Sequence, residues 1–216
     1  LNLKVAYVFG NLSNLIYWLQ GAMNPTSTSS SPLFLADNLA LDFINSEYGV
    51  GEQRHDSFTD DQSVARWFKL AGLLPESAGL TVPQGLLAEA RTLRDSARAL
   101  VNAALKGASA DLTLINQVLE AGRPVSRLEW DGQAQAFRVG VHRTDGSPAS
   151  LLWPVADALV SLVTSEKFEF VRQCEAHDCI LMFHDLSKSH RRRWCSMSTC
   201  GNRMKVAAFR SRQKPE

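Results

Sequence analysis

Apolar residues recur every three to four positions along much of the chain and switch to strict alternation in one stretch. Val64, Trp67, Phe68 and Leu70 form the first helical stripe, and Thr59 with Gln62 has capping-box spacing ahead of it. A helix is therefore predicted up to Ala71, with Gly72 as its stop. Leu86, Ala90, Leu93, Ala97, Leu100 and Ala104 keep one face apolar. They predict the longest helix, running from Pro83 at its first position to about Lys106, before Gly107. Ser109 caps a third predicted helix through Leu112, Ile115, Val118 and Leu119, which ends before Gly122. The period then changes: Leu128 and Trp130 precede Asp131-Gly132, and Phe137, Val139 and Val141 alternate after it, predicting a hairpin over 127–142. A fourth helix is predicted from Pro154 to Thr164 through Val155, Leu159, Leu162 and Val163. The pattern describes an α+β chain whose N-terminal domain is mainly α-helical with a small antiparallel β-hairpin or sheet.

Composition fits a folded protein, with hydrophobic residues at 45% and charged residues at 21%. Before Leu33 the pattern differs. Leu12, Leu15, Ile16 and Leu19 have helical spacing behind Lys4, but Gly10, Asn11, Ser13 and Asn14 interrupt them. Residues 1–22 read as an extension ahead of Met23, with a docking helix or a signal peptide as the other readings. Residues 24–32, NPTSTSSSP, read as a flexible leader. The expected divisions are 1–32 for extension and leader, 33–166 for the helical domain and 167–216 for a cysteine-bearing module. No run approaches the roughly 18 apolar residues of a membrane span, so no membrane partner is expected. No nucleophile motif with a partnered base and no Gly-rich phosphate loop is present, and His55 beside Asp56 is too little to build on. An enzyme is not expected, although a small-molecule enzyme in the N-terminal domain stays as one alternative.

All four cysteines lie in the last part of the chain, as Cys174-x4-Cys179 and Cys195-x4-Cys200. Two such pairs can offer a zinc ion four thiolates in a tetrahedron, closing one structural site with no open position for substrate. Disulfides, free thiols or an iron–sulfur cluster are the competing readings. Cysteines confined to one module fit a reducing cytoplasm better than a secreted scaffold. His177, His184 and His190 are expected to be exposed loop residues.

Charge is as localised as cysteine. From Arg172 to Glu216 there are ten lysines and arginines against four acids, although the whole chain carries only +1. Four thiolates on one dication leave that end basic, so an anionic partner is expected there. Arg191, Arg192 and Arg193 form a cluster suited to phosphates, and Arg203, Lys205, Arg210 and Arg212 lie along a short terminal helix. Met204, Val206 and Phe209 are expected to pack on the finger or its neighbour. Trp194 reads as a shield over the thiolates rather than a base-stacking ring. Asn202 either holds a turn or thiolate, or reads an adenine edge. A basic surface that binds a protein, or merely keeps the module soluble, is the competing reading.

Cys200-Gly201-Asn202-Arg203, with Arg192-Arg193-Trp194-Cys195-Ser196 and Arg172-Gln173-Cys174 before it, resembles the bacterial CGNR zinc-finger family. Leu41-Asp42-Phe43-Ile44-Asn45-Ser46 and Leu93-Arg94-Asp95-Ser96-Ala97-Arg98 resemble motifs of the helical ABATE domain that accompanies this finger. Met182-Phe183-His184-Asp185 partly matches the family's Phe-x-Asp segment. The resemblance implies a stress-induced transcription regulator with a DNA-binding finger. In the helical domain Arg91, Arg94 and Arg98 share a stripe of the long helix, and Asp42 and Asn45 are candidate partners across it. They are read either as a wall for a small acidic ligand or as internal ties, with Arg91 paired to Asp95. Sensing of such a ligand or homodimerisation is the expected role of that domain.

Overall fold

The computed structural model describes residues 32–49, 54–74 and 81–212. The predicted extension and leader lie outside them, apart from Pro32. The first helix, α1 (Leu39–Ile44), is short and lies at the centre. The Asn38 side chain caps it by accepting from the Ala40 and Leu41 N–H groups at 3.0 and 3.2 Å. Its Leu41, Phe43 and Ile44 are fully buried. Strands β1 (Glu47–Tyr48) and β2 (His55–Asp56) pair antiparallel after it.

Helix α2 (Asp61–Leu70) begins one residue later than the expected Thr59 box allows. Asp60 is the cap, accepting from the Ser63 N–H at 2.7 Å, while Ser63 Oγ takes the N–H groups of Thr59 and Asp60. Gly72 ends the helix with φ 73. Helix α3 (Leu86–Leu105) starts after the expected Pro83. Its N-cap is Gly85, with φ 84 and no side chain, and the cap comes from another helix. Asp61 accepts from the N–H groups of Gly85 and Leu87 at 3.1 and 2.6 Å. Helix α4 (Thr113–Ala121) also starts later than expected, with Asp111 rather than Ser109 accepting from the Thr113 N–H at 2.9 Å.

Strands β3 (Val125–Asp131) and β4 (Ala136–His142) form the predicted hairpin in antiparallel register, Leu128 facing Val139 and Trp130 facing Phe137. Helix α5 (Pro148–Val163) is longer than expected and contains Pro154, which the sequence reading placed at its start. Ser147 caps it and Pro148 takes the first helical position, where a missing N–H costs nothing.

A 3₁₀ turn (Glu166–Phe170) leads to β5 (Val171–Gln173), which pairs antiparallel with β6 (Met182–His184). A π-type turn (Met197–Gly201) then opens α6 (Asn202–Arg212). Helix α1 packs on α3, α5 and β6, and α3 also contacts α2, α4 and α5. Phe43, Phe58, Trp67 and Phe68 meet edge-to-face or tilted, with Phe43 and Trp67 centroids 5.4 Å apart. Met182, Phe183, Cys174, Cys195 and Cys200 are buried in the same apolar cluster as these helices. Cysteine module and helical domain thus share one core.

Candidate metal centre and nucleic-acid interface

Two loops bring the thiols together. Cys174 follows β5 and Cys179 closes the turn after it, its N–H reaching the Ala176 carbonyl at 3.0 Å. Cys195 precedes the π turn and Cys200 lies within it, where the Gly201 N–H donates to the Ser196 carbonyl at 2.9 Å. Cys200 therefore precedes α6. All four Sγ atoms lie within 4.8 Å of one another. The Cys195 Sγ is 3.9 Å from Cys179 and 3.5 Å from Cys200. Four thiolates about 2.3 Å from one ion would stand about 3.8 Å apart, so the donor set fits a tetrahedral dication such as zinc.

The electrostatics favour the same occupant. Hydrogen bonds from Cys179, Cys200 and Cys174 pull the Cys195 thiol down to about 5. Burial pushes Cys200 up to about 11, and the hydrogen bond to Cys195 with burial raises Cys179. One thiolate forms easily and resists the next, a conflict that a bound dication removes. The Cys195 N–H points at Cys174 Sγ at 3.3 Å, and Arg203 Nη2 approaches Cys200 Sγ at 3.5 Å. Gly201 allows the close fit: a Cβ there would lie 2.6 Å from Met197 Sδ and 3.1 Å from the Trp194 ring. That contact places half-buried Trp194 against the Cys200-Gly201 turn.

The basic side chains separate into two sets. Arg192 is an internal tie: its guanidinium donates to the carbonyls of Trp194, Leu35 and Cys195 and to Asp37, and it lies 4.2 Å over the Phe183 ring. Arg193 donates to Glu175 at 2.6 Å and covers the Trp194 ring at 4.8 Å. Arg203 is paired with Asp178 through both terminal nitrogens. Arg191, Lys205, Arg210 and Arg212 are exposed with no acidic partner among the described residues. Lys188 joins them, in the same loop as Arg191.

No residue of α6 is buried. With 100° per residue, Asn202, Lys205, Val206, Phe209 and Arg212 fall within about a third of the circumference, on the side opposite half-buried Met204, with Arg203 and Arg210 beyond the Val206 edge. Val206 and Phe209 are 48% and 54% exposed, so they do not pack on the module as the sequence suggested; only Met204 is half-buried against the core. Asn202 opens the helix with an exposed side chain, while its backbone N–H closes the π turn on the Met197 and Thr199 carbonyls.

The loop before Cys195 hangs on an aspartate. Asp185 is fully buried and accepts from Ser187 N and Oγ and from the Arg192 N–H at 3.0, 2.6 and 2.8 Å. Its importance was half-visible in the partial Phe-x-Asp match. His184, expected to be exposed, is buried on β6 and donates to the Lys167 carbonyl; burial lowers its pKa. His190 stacks on Phe170 at 3.7 Å, while His177 is exposed.

The residues considered for a small ligand act as ties within the fold. Asp42 accepts from the N–H groups of Leu35 and Ala36 at 2.8 and 2.9 Å. Asn45 donates to the Met182 carbonyl at 2.7 Å and accepts from its N–H at 3.0 Å. Arg94 is buried, forks onto Asp56 at 2.7 and 2.8 Å and also reaches Ser46 Oγ. Arg98 donates to the Ile44 carbonyl and Glu47, and Arg91 goes to Phe58 and Asp56 instead of the expected Asp95. The Leu41–Ser46 motif is therefore a bolt between α1, α3 and β6.

Residues 37–166 match the family model ABATE, whose description reads "Putative stress-induced transcription regulator". Residues 171–213 match the CGNR zinc finger. No curated protein matches the chain.

Proposed function

Because this chain belongs to the ABATE family and carries a CGNR zinc finger, we propose that it is a cytoplasmic transcription regulator whose zinc ion aims α6 at duplex DNA. One observation carries the reading: α6 has no buried residue, Met204 alone being half-buried, and it collects Asn202, Lys205, Phe209 and Arg212 on one exposed side. Lys205 and Arg212 suit phosphates at either end of that side. Asn202 at the helix start suits the bidentate edge of adenine, and Phe209 suits a thymine methyl. The ion holds the helix start and takes no part in chemistry, since four thiolates fill a tetrahedron. No residue is assigned a catalytic role.

Anisotropy titrations of zinc-loaded protein on duplex DNA at several salt concentrations test this. Lys205→Ala and Arg212→Ala should each weaken binding on all sequences and lower the salt slope by about one. Metal content should not change. Absence of binding at low salt removes the proposal.

A protein partner in place of DNA has the exposure of Val206 and Phe209 in its favour. Phe209→Ala would then abolish partner capture while Lys205→Ala leaves it intact. For the helical domain, sensing of a small acidic ligand is supported by Arg94 Nε, His55 Nε2 and Ser57 Oγ. These atoms are buried without a hydrogen-bond partner among the described residues, on residues that flank or pair with Asp56. A thermal-shift screen with small carboxylates and phosphates tests it, and no stabilisation by any of them counts against it.

A further inference from the structure

The β3–β4 hairpin has two unlike faces. On one, Glu129 lies across Gly140, where any Cβ would collide with it at 2.4 Å, and reaches Arg138 at 3.0 Å and His142 at 2.5 Å. Arg127 is on this face too. The other face carries Ser126, Leu128 and Trp130 opposite Val141, Val139 and Phe137, and no charge. Its apolar side chains are bare: Leu128 is 73% exposed, Phe137 70%, Val139 66%, Trp130 54% and Val141 44%. Trp130 and Phe137 pack edge-on at 5.0 Å, so the face is already ordered for contact.

We propose that this face is a two-fold interface between two copies of the chain. Three arguments select a second copy. The first is area. Five such side chains offer on the order of 500 Å² of apolar surface, the upper end of what a monomer exposes. With their rim they approach the roughly 800 Å² per partner of a stable dimer.

The second is shape. The hairpin is broad at the tip, where Trp130 and Phe137 stand, and narrow at the base, where Ser126 and Val141 stand. A two-fold axis through the Leu128–Val139 pair lays each aromatic tip over the other copy's small base. The face is its own complement, as an isologous contact requires.

The third is charge. With no cation the face has nothing to hold a nucleic acid, and with no ion of either sign it selects no charged peptide. A lone two-stranded hairpin is also marginal in water, and covering its apolar side supplies what it lacks.

The inference is independent of the DNA reading. Light scattering on the full, zinc-loaded chain across the micromolar range tests it, with an expected mass twice the 23.9 kDa of one chain. Leu128→Glu should give single chains with unchanged helical circular dichroism and unchanged metal content. Should that variant misfold, Trp130→Ala serves in its place, with a dissociation constant raised about thirtyfold.

A wild-type chain that is monomeric throughout overturns the proposal. The fluorescence difference between wild type and Trp130→Phe then identifies the cover: shielding from acrylamide points to residues 1–31, and free quenching to a foreign protein. A dimer that persists in both Leu128→Glu and Trp130→Ala overturns it equally.

Discussion

Arg191, Arg192 and Arg193 look alike in the sequence, and the fold gives each a different task. Arg192 satisfies three backbone carbonyls and one carboxylate, two of its partners lying in residues 35–37. Arg192→Ala leaves those carbonyls unpaired and is expected to lower stability by about 2–3 kcal/mol, with the DNA salt slope intact. Arg191→Ala should do the reverse, shifting stability by no more than about 0.5 kcal/mol while reducing the slope by about one. Denaturant midpoints and salt titrations on the two variants separate the roles. Such a division is invisible in a run of three identical letters, because two of the partners of Arg192, Leu35 and Asp37, are more than a hundred and fifty residues away. The four cysteines were legible for the opposite reason: their spacing is local. Asp56 adds a pH dependence. Burial pushes its carboxyl up, but the hydrogen bonds from Arg94 and the Phe58 N–H, with the charges of Arg94 and Arg91, outweigh burial and hold it low. A carboxyl held low in the folded state contributes stability above its unfolded value of about 4, and that stability is lost as pH falls through the folded value. Asp56→Asn should therefore flatten the acid limb of a stability–pH curve, and an unaltered limb contradicts the assignment.

At the scale of elements, the apolar period located α2, α3 and α4 because each buries one stripe, but it misplaced their starts. The cap of α3 comes from Asp61 on α2, and no local motif announces a donor from another helix. Helix α5 was cut short because Pro154 read as a first residue, whereas Ser147 and Pro148 already start the helix. The hairpin shows a different limit. Alternation identifies two faces without saying which is buried, and here the apolar one is exposed. Helix α4 meets α5 closely at Gly122, where a Cβ would stand 2.2 Å from the Ala149 carbonyl oxygen. Gly122→Ala should cost about 1–3 kcal/mol, since backbone cannot move aside as a flexible side chain does. Gly132→Ala, in the open hairpin turn with nothing within 4 Å of its Cβ, is the near-neutral control in the same unfolding assay.

Across the whole molecule, the sequence indicated a helical domain and an appended finger, and those are the two family matches. What it hid is how they are joined. Residues 35–37 run between them: Asp42 of α1 holds the Leu35 and Ala36 N–H groups, while the finger takes the Ala36 carbonyl through His184 at 2.8 Å and Leu35 and Asp37 through Arg192. Asn45 adds its paired bonds to Met182. Removal of the ion by a chelator should therefore lower the melting temperature of the helical part as well, in one calorimetric transition. Two transitions, the upper one insensitive to chelator, would show that the halves melt separately. The shared strip also makes the ion a gauge. Equilibrium coupling is reciprocal, so whatever binds the helical half more tightly when the metal is in place must tighten the metal's hold on the other half by the same free energy. A colorimetric chelator, which competes with the thiolates for the ion alone, could then report on events at the far side of the helical domain.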